Sequence, residues 1–237
     1  MDGRSSLPSP DRDRPLAEVI EDLRGSLRAA EAHEPTDEWF AYEVAFRRLR
    51  AWAEGLGVYY PDLQPEYIGG REHDIVLDEA SSTWLKFTKP SAAAYQIDFD
   101  ADAGRFAMRP GLPLEYLERL LLLNDTFGEL TTFVGVGGGR GRPRIITRQV
   151  DVEGEPATVQ EIVHLMVDVL GFSPLPQHLS VGYQSALAFI RDDVAVFDLR
   201  PANVVTTPDG IIVPIDAIPA CVDAAMRARF AELLGRP

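Results

Sequence analysis

Three polar residues near the end of the chain stand at spacings suited to phosphoryl transfer. Asp198 and Asn203 are five positions apart in the hexapeptide DLRPAN, and Asp216 follows 13 residues after Asn203. A carboxylate can orient or deprotonate an attacking hydroxyl, and a neutral amide oxygen can hold Mg²⁺ without adding repulsion toward phosphates. A second acid can complete the metal shell, because Mg²⁺ prefers hard oxygen ligands that it shares with phosphates. The pattern therefore indicates a phosphotransfer site.

Each of these residues also has a purely structural interpretation. Asp and Asn are frequent in loops because their side chains hydrogen-bond to nearby backbone groups. A turn-rich stretch with fortuitous acids would contain the same residues. The spacing alone leaves a structural α+β domain open beside a phosphotransfer site.

The local pattern predicts the elements that must position the three residues. The segment VFDLRPANVVTTPDGIIVPIDA predicts a short strand over 195–197 and then a loop carrying Asp198 and Asn203. A hairpin follows, with Pro208-Asp209-Gly210 as its turn. Asp216 stands just past this hairpin, so the loop and the hairpin together would set the geometry of the site.

Strands and helices alternate irregularly in the rest of the chain. YIGGREHDIVLD and SSTWLKFT alternate apolar and polar residues as strands do, and Lys86 lies on the second. AAYQIDFDADAGRFAMRP predicts a hairpin, LPLEYLERLLLLNDTFG a helix, and LTTFVGVGGGRGRPRIITRQVDV two strands joined by a glycine-rich turn. TVQEIVHLMVDVLGF predicts a helix capped by Thr158, and a last helix is predicted roughly over 220–234.

This order predicts an α+β fold, because it lacks the regular βαβ alternation of a doubly wound sheet. We expect a disordered tail over 1–14 and a helical extension over 15–64, whose second helix would be N-capped by Thr36. A small strand-rich lobe with its linking strand would cover 65–150. A reduced lobe of helix and hairpin would cover 151–237.

Composition narrows the range of partners. The net charge of −14 argues against a general nucleic-acid binder. No run of 18 apolar residues and no apolar N-terminal signal stretch is present, so we expect a cytoplasmic protein without a membrane span. The single cysteine, Cys221, excludes an intrachain disulfide. The four histidines lack metal-ligand spacing, and we expect surface or capping roles for them.

With these residues in view, the chain resembles the protein-kinase-like superfamily. In that superfamily the catalytic loop has an aspartate, four residues and an asparagine, and a metal-binding aspartate follows a short hairpin. More narrowly, it resembles the kinase-like domain of bacterial and phage polyvalent proteins. The shared stretches are GGREHDIVLD, WLKFTKP, PLEYLERLLLLN with FGEL, RIITRQ, EI with GF, and DLRPANVVTTPDGIIVPIDA. The resemblance implies a minimal two-lobed kinase-like fold with an N-terminal helical extension.

The resemblance assigns nucleotide-binding roles to the strand-rich lobe. Lys86 would contact the nucleotide phosphates, although a solvated lysine at a strand end is the simpler explanation of that residue alone. Gly69 and Gly70 would begin the loop over the phosphates, where missing side chains let backbone N–H groups approach anions. Glu115 or Glu118 would pair with Lys86. Both could equally be solvated helix acids.

The remaining roles fall on the linking strand and on the DLRPAN segment. The adenine edge would bind backbone around Gln149, which could otherwise be part of a plain central strand. Asp198 would orient the acceptor hydroxyl, and Arg200 could neutralise a transferring phosphoryl group. Asn203 and Asp216 would bind Mg²⁺. The implied cofactors are ATP and Mg²⁺, and the implied partner is a protein or small-molecule acceptor.

The chain also departs from the superfamily pattern. Val196 and Phe197 stand where a histidine and an arginine usually precede the catalytic aspartate, and Ala217 and Ile218 replace the usual Phe-Gly. Only 21 residues follow Asp216 in this sequence, so we expect no conventional peptide-substrate platform. Two functional hypotheses follow from the resemblance: an ATP- and Mg²⁺-dependent phosphotransferase, and a pseudokinase-like nucleotide-binding or interaction module without turnover.

Overall fold

A computed structural model describes residues 7–28, 38–65, 69–91, 93–128, 130–138, 141–179, 181, 183 and 185–235. Its helices and strands in chain order are α1 Leu16–Arg28, α2 Glu38–Gly55, β1 Tyr59–Tyr60, β2 His73–Asp78, β3 Thr83–Thr88, β4 Tyr95–Asp100, β5 Arg105–Pro110, α3 Pro113–Phe127, β6 Thr131–Gly137, β7 Arg144–Val150, β8 Glu155–Pro156, α4 Val159–Val163, β9 Ser173–Pro174, β10 Leu187–Arg191, β11 Val194–Leu199, β12 Val204–Thr206, β13 Ile212–Pro214, β14 Ile218–Cys221 and α5 Ala224–Leu233. The predicted α+β class is confirmed.

The chain divides into two compact units. The first unit comprises Met1–Tyr95, Pro110–Asn124 and Glu129–Asp151, and the second comprises Gln96–Arg109, Asp125–Gly128 and Val152–Pro237. The hairpin of β4 and β5, which the sequence interpretation grouped with the segment 65–150, thus belongs mainly to the second unit.

The first unit is built on a five-stranded sheet in the order β1-β6-β7-β3-β2. β1 pairs with β6 in parallel, and the other pairs are antiparallel. One face buries a cluster formed by Leu63, Val76, Leu85, Phe87, Val134 and Ile146. The alternation predicted for β3 is visible in this cluster, because Leu85 and Phe87 are both fully buried.

The helices of the first unit bury amphipathic stripes. In α1 the stripe is Leu16, Val19, Ile20 and Leu23, at the i, i+3, i+4, i+7 spacing of one helix face. α1 and α2 both contact β6. α2 ends at Gly55. The proposed cap at Thr36 lies outside the described residues.

The segment 7–14, which the sequence interpretation assigned to a disordered tail, is held against the sheet of the first unit. Arg14 forms an antiparallel bridge with Phe133 of β6. Asp13 accepts a hydrogen bond at 2.6 Å from Nε of Arg148, and Nη2 of Arg148 donates to the carbonyl of Pro8 at 2.6 Å. A buried arginine therefore ties this segment to β7, a long-range contact that composition does not reveal.

The second unit contains two small antiparallel sheets and a hairpin. The sheets have the orders β14-β11-β10-β9 and β13-β12-β8, and β4 and β5 form the hairpin. Its core includes Phe197 of β11, Ile218 of β14, and Met226 and Phe230 of α5. Phe106 of β5 stacks on Phe230, with ring centroids 5.0 Å apart.

Two elements of the second unit differ from those predicted from the sequence. The last helix does not begin near residue 220, because Ile218–Cys221 is a strand that pairs with β11, and α5 begins only after its N-cap Asp223. The helix after Thr158 has the predicted capping box, but it continues as one π-helical turn at His164–Val169. The separate β14 is the more consequential difference, since it leads directly away from Asp216.

Candidate functional site

Asp198 lies within β11, rather than in the loop after it, and its backbone is unusual. Its φ angle is +58°, in the left-handed region that non-glycine residues seldom occupy. Asp tolerates this region better than most residues because its short polar side chain can hydrogen-bond locally. The left-handed residue lies at an irregularity in the register of β10 and β11, where Phe189 is paired with Val196 but Leu187 with Leu199. The 3-10 turn Pro201–Asn203 follows the end of the strand.

The strand register brings Asp198 and Asp216 to the same end of the sheet. β11 and β14 are antiparallel, and Phe197 is paired with Ile218. This is the last pair of the two strands, and the two acids lie just beyond it, Asp198 directly after Phe197 and Asp216 two residues before Ile218. The loop and hairpin between the two acids thus begin and end at one point of the second unit.

Asn203 connects the two acids. Its Nδ2 donates to the backbone carbonyl of Asp198 at 2.8 Å and to Oδ2 of the same residue at 3.0 Å. Its backbone carbonyl accepts from the N–H groups of Ile215 and Asp216 at 2.9 and 3.2 Å. Only 4% of Asn203 is exposed. A buried amide with these contacts is a rigid centre for the site.

The donor set is suited to a hard cation. The amide nitrogen of Asn203 is engaged by Asp198. The amide oxygen of Asn203 and the carboxylates of Asp198 and Asp216 are the oxygen donors of this part of the chain. Mg²⁺ takes such ligands, usually with few protein groups and several waters. Within the described parts of the chain, no three His, Cys, Asp or Glu residues group closely enough to form a metal site by themselves.

Arg200 lies beside the same acid. Its Nε is 3.8 Å from Oδ1 of Asp198, and its guanidinium lies over the ring of Tyr183, 4.1 Å from the ring centroid. Tyr183 was not singled out from the sequence. It belongs to no motif, and only the fold brings it to Arg200.

Apolar packing surrounds the positions at which the chain departs from the superfamily pattern. Val196 and Phe197 are fully buried, and Ala217 is 2% exposed. The ring of Phe197 contacts that of Phe106, with centroids 5.9 Å apart. Strand pairing and core packing thus hold the backbone on either side of Asp198 and Asp216.

In the first unit, Lys86 lies on β3 as predicted. It is paired with Ile75 of β2 and with Thr147 of β7, and its side chain is partly exposed. Gly69 lies shortly before β2, and its backbone passes close to His73. A Cβ at this position would lie 2.5 Å from the carbonyl oxygen of His73. A Cβ on Gly70 would meet no neighbouring atom. Only Gly69 therefore requires the absence of a side chain.

Asp74 fixes the backbone of Gly69. The N–H of Gly69 donates to Oδ1 of Asp74 at 3.1 Å. Asp74 also pairs with Lys89 and with Arg144, the latter at 2.5 Å. Burial opposes ionisation of Asp74, but hydrogen bonds from these two cations hold its pKa below the ordinary value. A charged buried cluster therefore anchors the start of the predicted phosphate loop.

The two candidate acids of α3 have different surroundings. Oε2 of Glu115 accepts from the N–H of Leu112 at 2.7 Å, which caps the start of the helix. Glu118 pairs with Arg24 of α1 at 2.6 Å, and both side chains are well exposed. This ion pair therefore directs Glu118 toward the N-terminal extension.

The buried ion pair of α3 is formed by Arg119 and Glu72, neither of which the sequence analysis selected. Nη2 of Arg119 donates to Oε2 of Glu72 at 2.7 Å, and the two side chains are 2% and 12% exposed. Burial raises the pKa of Glu72, but the charge and hydrogen bonds of Arg119 outweigh it and lower the pKa to about 2. The position of Arg119 among the apolar residues of α3 was the available signal.

His73 joins the same end of α3 to the sheet. One of its ring nitrogens, Nε2, lies 2.9 Å from the hydroxyl of Tyr116. Burial lowers the pKa of His73 to about 3, with smaller contributions from the charges of Lys86, Arg119 and Lys89. The expected surface or capping role is wrong for this histidine, which is neutral and 8% exposed.

Gln149 lies inside the central strand β7. It is paired with Trp84 on one side and with Thr131 on the other, and its side chain is 3% exposed. Beyond it, the N–H groups of Val150 and Asp151 donate to Leu130 and Ser82. The backbone at residues 149–151 is thus largely occupied by sheet and loop contacts.

Comparison with known proteins gives no relative for the chain. No family model, no curated protein and no solved structure matches it. Among the described helices, none has both the length and the apolar character needed to cross a membrane.

Proposed function

We propose that the chain is an ATP- and Mg²⁺-dependent phosphotransferase with a minimal two-lobed protein-kinase-like fold, which transfers the γ-phosphoryl group to a hydroxyl of an acceptor. The observation that carries the proposal is the bridge made by Asn203, which binds Asp198 through its side chain and Asp216 through its backbone. The left-handed backbone of Asp198 and the buried Asn203 support this proposal, because strained backbone clusters at functional sites. The acceptors that carry such a hydroxyl include Ser, Thr and Tyr side chains of proteins.

The proposed roles follow from the chemistry of each group. Asp198 accepts the proton of the attacking hydroxyl, and Asn203 holds the Asp198 carboxylate in one orientation. The oxygens of Asn203 and Asp216 would hold Mg²⁺, which when bound offsets the charge of the phosphates. Lys86 would bind the nucleotide phosphates, and Arg200 would offset charge that develops on the transferring group.

The test is ADP formation from ATP by the full chain in the presence of Mg²⁺. Asp216→Ala should abolish it, because one of the metal ligands is lost. Asp209→Ala is the matched control, since Asp209 is an exposed acid of the same hairpin whose carboxylate accepts a hydrogen bond from the hydroxyl of Thr207. Equal rates for wild type and Asp216→Ala would exclude the proposed site.

A pseudokinase-like module is the second candidate. It is favoured by Val196 and Phe197, which are buried where the superfamily has a histidine and an arginine, and by Ala217, which replaces the usual phenylalanine after the metal-binding aspartate. Its signature is a rise of the melting temperature with MgATP that Lys86→Ala removes, without ADP formation. If neither binding nor turnover occurs, the phosphotransferase and the nucleotide-binding module both fail, and an interaction module or a structural α+β domain is left.

A further inference from the structure

A groove in the first unit lies between one face of α2 and two turns of the sheet. Its volume is about 740 Å³, within the range of about 300–1,000 Å³ that is typical of small-molecule sites. From α2 it is lined by Glu43, Arg47 and Arg50, at the i, i+4, i+7 spacing of one helix face. Its other walls are the turn after β3 and the glycine-rich turn between β6 and β7. The proposed phosphotransfer uses none of these residues.

The described residues that line the groove carry an excess of positive charge. Three of them are arginines, Arg47, Arg50 and Arg142, and one is an acid, Glu43, which leaves two positive charges. The whole chain has a net charge of −14, so the groove is opposite in sign to the molecule that contains it. A concave site lined by one sign of charge attracts ligands of the other sign. The groove therefore favours an anionic ligand.

Arg142 is built into the wall of the groove. Its Nη1 donates to the backbone carbonyls of Pro90 and Ser91 at 3.2 and 3.3 Å, and its Nη2 pairs with Glu43. Its guanidinium also lies over the ring of Tyr42, 5.2 Å from the centroid. These contacts join the two turns to α2, so the groove is formed before a ligand binds. They also compensate the charge of Glu43, which would otherwise repel an anion.

Arg47 and Arg50 are the arginines with donors to offer a ligand. They are three positions apart on α2 and are therefore neighbours on its surface. Arg47 is exposed, and no residue in the described part of the chain accepts a hydrogen bond from it. Arg50 donates from Nε to Glu54 at 2.9 Å, but these two side chains are 40% and 48% exposed. An ion pair so exposed contributes little and can be exchanged for a ligand anion.

We propose that the groove binds a small organic phosphomonoester. The phosphate would lie against Arg47 and Arg50, because a planar guanidinium donates two parallel hydrogen bonds to phosphate oxygens. A phosphomonoester carries about 1.5 to 2 negative charges at neutral pH, which matches the charge of the lining better than a monoanionic carboxylate or sulfonate does. The organic part of the ligand would contact the exposed ring of Pro90.

This site differs from the proposed nucleotide site in its chemistry. Its donors are guanidinium groups, which bind phosphate directly and need no Mg²⁺. The proposed nucleotide site instead relies on Asn203 and Asp216 to hold the metal. Binding in the absence of divalent cations therefore separates the two sites, and the inference does not depend on the proposed function.

The test is isothermal titration calorimetry of the full chain with phenyl phosphate, in buffer without divalent cations. We expect binding to one site, with a lower Kd than inorganic phosphate, which lacks the organic part. Benzenesulfonate has the same ring but one negative charge, and we expect its Kd to be at least about tenfold higher.

Two variants remove the phosphate donors one at a time. Arg47→Gln and Arg50→Gln should each raise the Kd for phenyl phosphate by about tenfold or more, since each removes charge-assisted hydrogen bonds. Arg48→Gln is the matched control, because Arg48 lies on the same helix but does not line the groove. It changes the net charge equally and should leave the Kd unchanged. Melting temperatures of the three variants verify that the fold is kept.

Several results would overturn the inference. One is an absence of phenyl phosphate binding at millimolar concentration, and another is an equal Kd for phenyl phosphate and either inorganic phosphate or benzenesulfonate. A Kd unchanged in Arg47→Gln and Arg50→Gln, or raised as much in Arg48→Gln, would also refute it. Binding that requires Mg²⁺ and is lost in Asp216→Ala would refute this inference while supporting the proposed function.

Discussion

Asp198 combines an unfavourable backbone with a set of specific contacts. Its φ of +58° costs an ordinary residue about 1–2 kcal/mol. The contacts from Asn203 and the pairing of β11 with β14 maintain this conformation. Strain of this kind concentrates at functional sites, where the surrounding structure can over-determine it.

Two substitutions at this residue separate the backbone from the carboxylate. Asp198→Gly and Asp198→Ala both remove the acid, but only glycine occupies positive φ without a steric cost. We expect the glycine variant to be more stable than the alanine variant by about 1 kcal/mol in urea unfolding. Equal stabilities, or a more stable alanine variant, would contradict the assigned backbone conformation.

The site could be predicted from sequence only in part. The spacing of Asp198, Asn203 and Asp216 indicated that they act together, because a loop and a hairpin return the chain to one point. The left-handed conformation of Asp198 could not be read from the sequence, since Asp is common in ordinary turns. Tyr183 could not be found either, as its contact with Arg200 depends on the tertiary fold.

At the scale of elements, α3 is anchored to the first unit by polar contacts of very different burial. Arg119 and Glu72 form a buried pair, whereas Arg24 and Glu118 form an exposed one. Removing one partner of a buried pair leaves an uncompensated charge away from water, but exposed pairs are screened by solvent. The buried pair should therefore dominate the attachment of the helix.

This difference predicts unequal effects of two arginine substitutions. Arg119→Met should lower the free energy of unfolding by about 3 kcal/mol, because Glu72 stays buried without its cation. Arg24→Ala should lower it by less than about 1 kcal/mol. Urea unfolding of both variants measures the contrast. Effects of similar size would show that the burial of the Arg119–Glu72 pair is misassigned.

His73 and Glu72 should make the first unit sensitive to acid. The pKa of His73 is lowered from 6.5 to about 3, so the unfolded chain binds a proton that the folded chain excludes, and stability falls as the pH drops from 6.5 toward 3. The pKa of Glu72 is lowered from 4.5 to about 2, which adds a further loss as the pH drops below 4.5. Both shifts act in the same direction.

The measurement is the free energy of unfolding at pH 7 and at pH 5. His73 alone should account for a loss of about 2 kcal/mol between these values, since each pKa unit corresponds to about 1.4 kcal/mol. His73→Gln should remove that part of the pH dependence. A wild-type stability that is constant from pH 7 to pH 5 would contradict a buried neutral histidine.

The elements were predictable where the hydrophobic pattern agrees with the residues that begin or end a helix or strand. Alternating strands such as β3 and the capped start of α4 follow from local rules. β14 was missed because Pro219 sits inside it, and a proline argues against a central strand. It is tolerated because β14 is the edge strand of its sheet. The N-cap Asp223 was the local signal that separates this strand from α5.

At the scale of the whole molecule, the chain has an excess of negative charge, and several of its arginines form buried ion pairs. The chain carries 37 acids and 23 basic residues. In the first unit, Arg119, Arg144 and Arg148 are each buried against carboxylates. The α+β class was predictable from the order of the elements, but these pairings and the docking of segment 7–14 were not, because they join residues far apart in sequence.

The central claim is that the acids of the second unit perform Mg²⁺-dependent phosphoryl transfer from ATP. The most direct measurement is ADP formation by the full chain, with Mg²⁺ and after chelation, in wild type and in Asp198→Gly, whose backbone is expected to be unstrained. We predict Mg²⁺-dependent ADP formation by the wild type and its loss in Asp198→Gly at an unchanged fold. ADP formation that survives this substitution or the removal of Mg²⁺ would contradict the account, as would a folded wild-type chain that forms none.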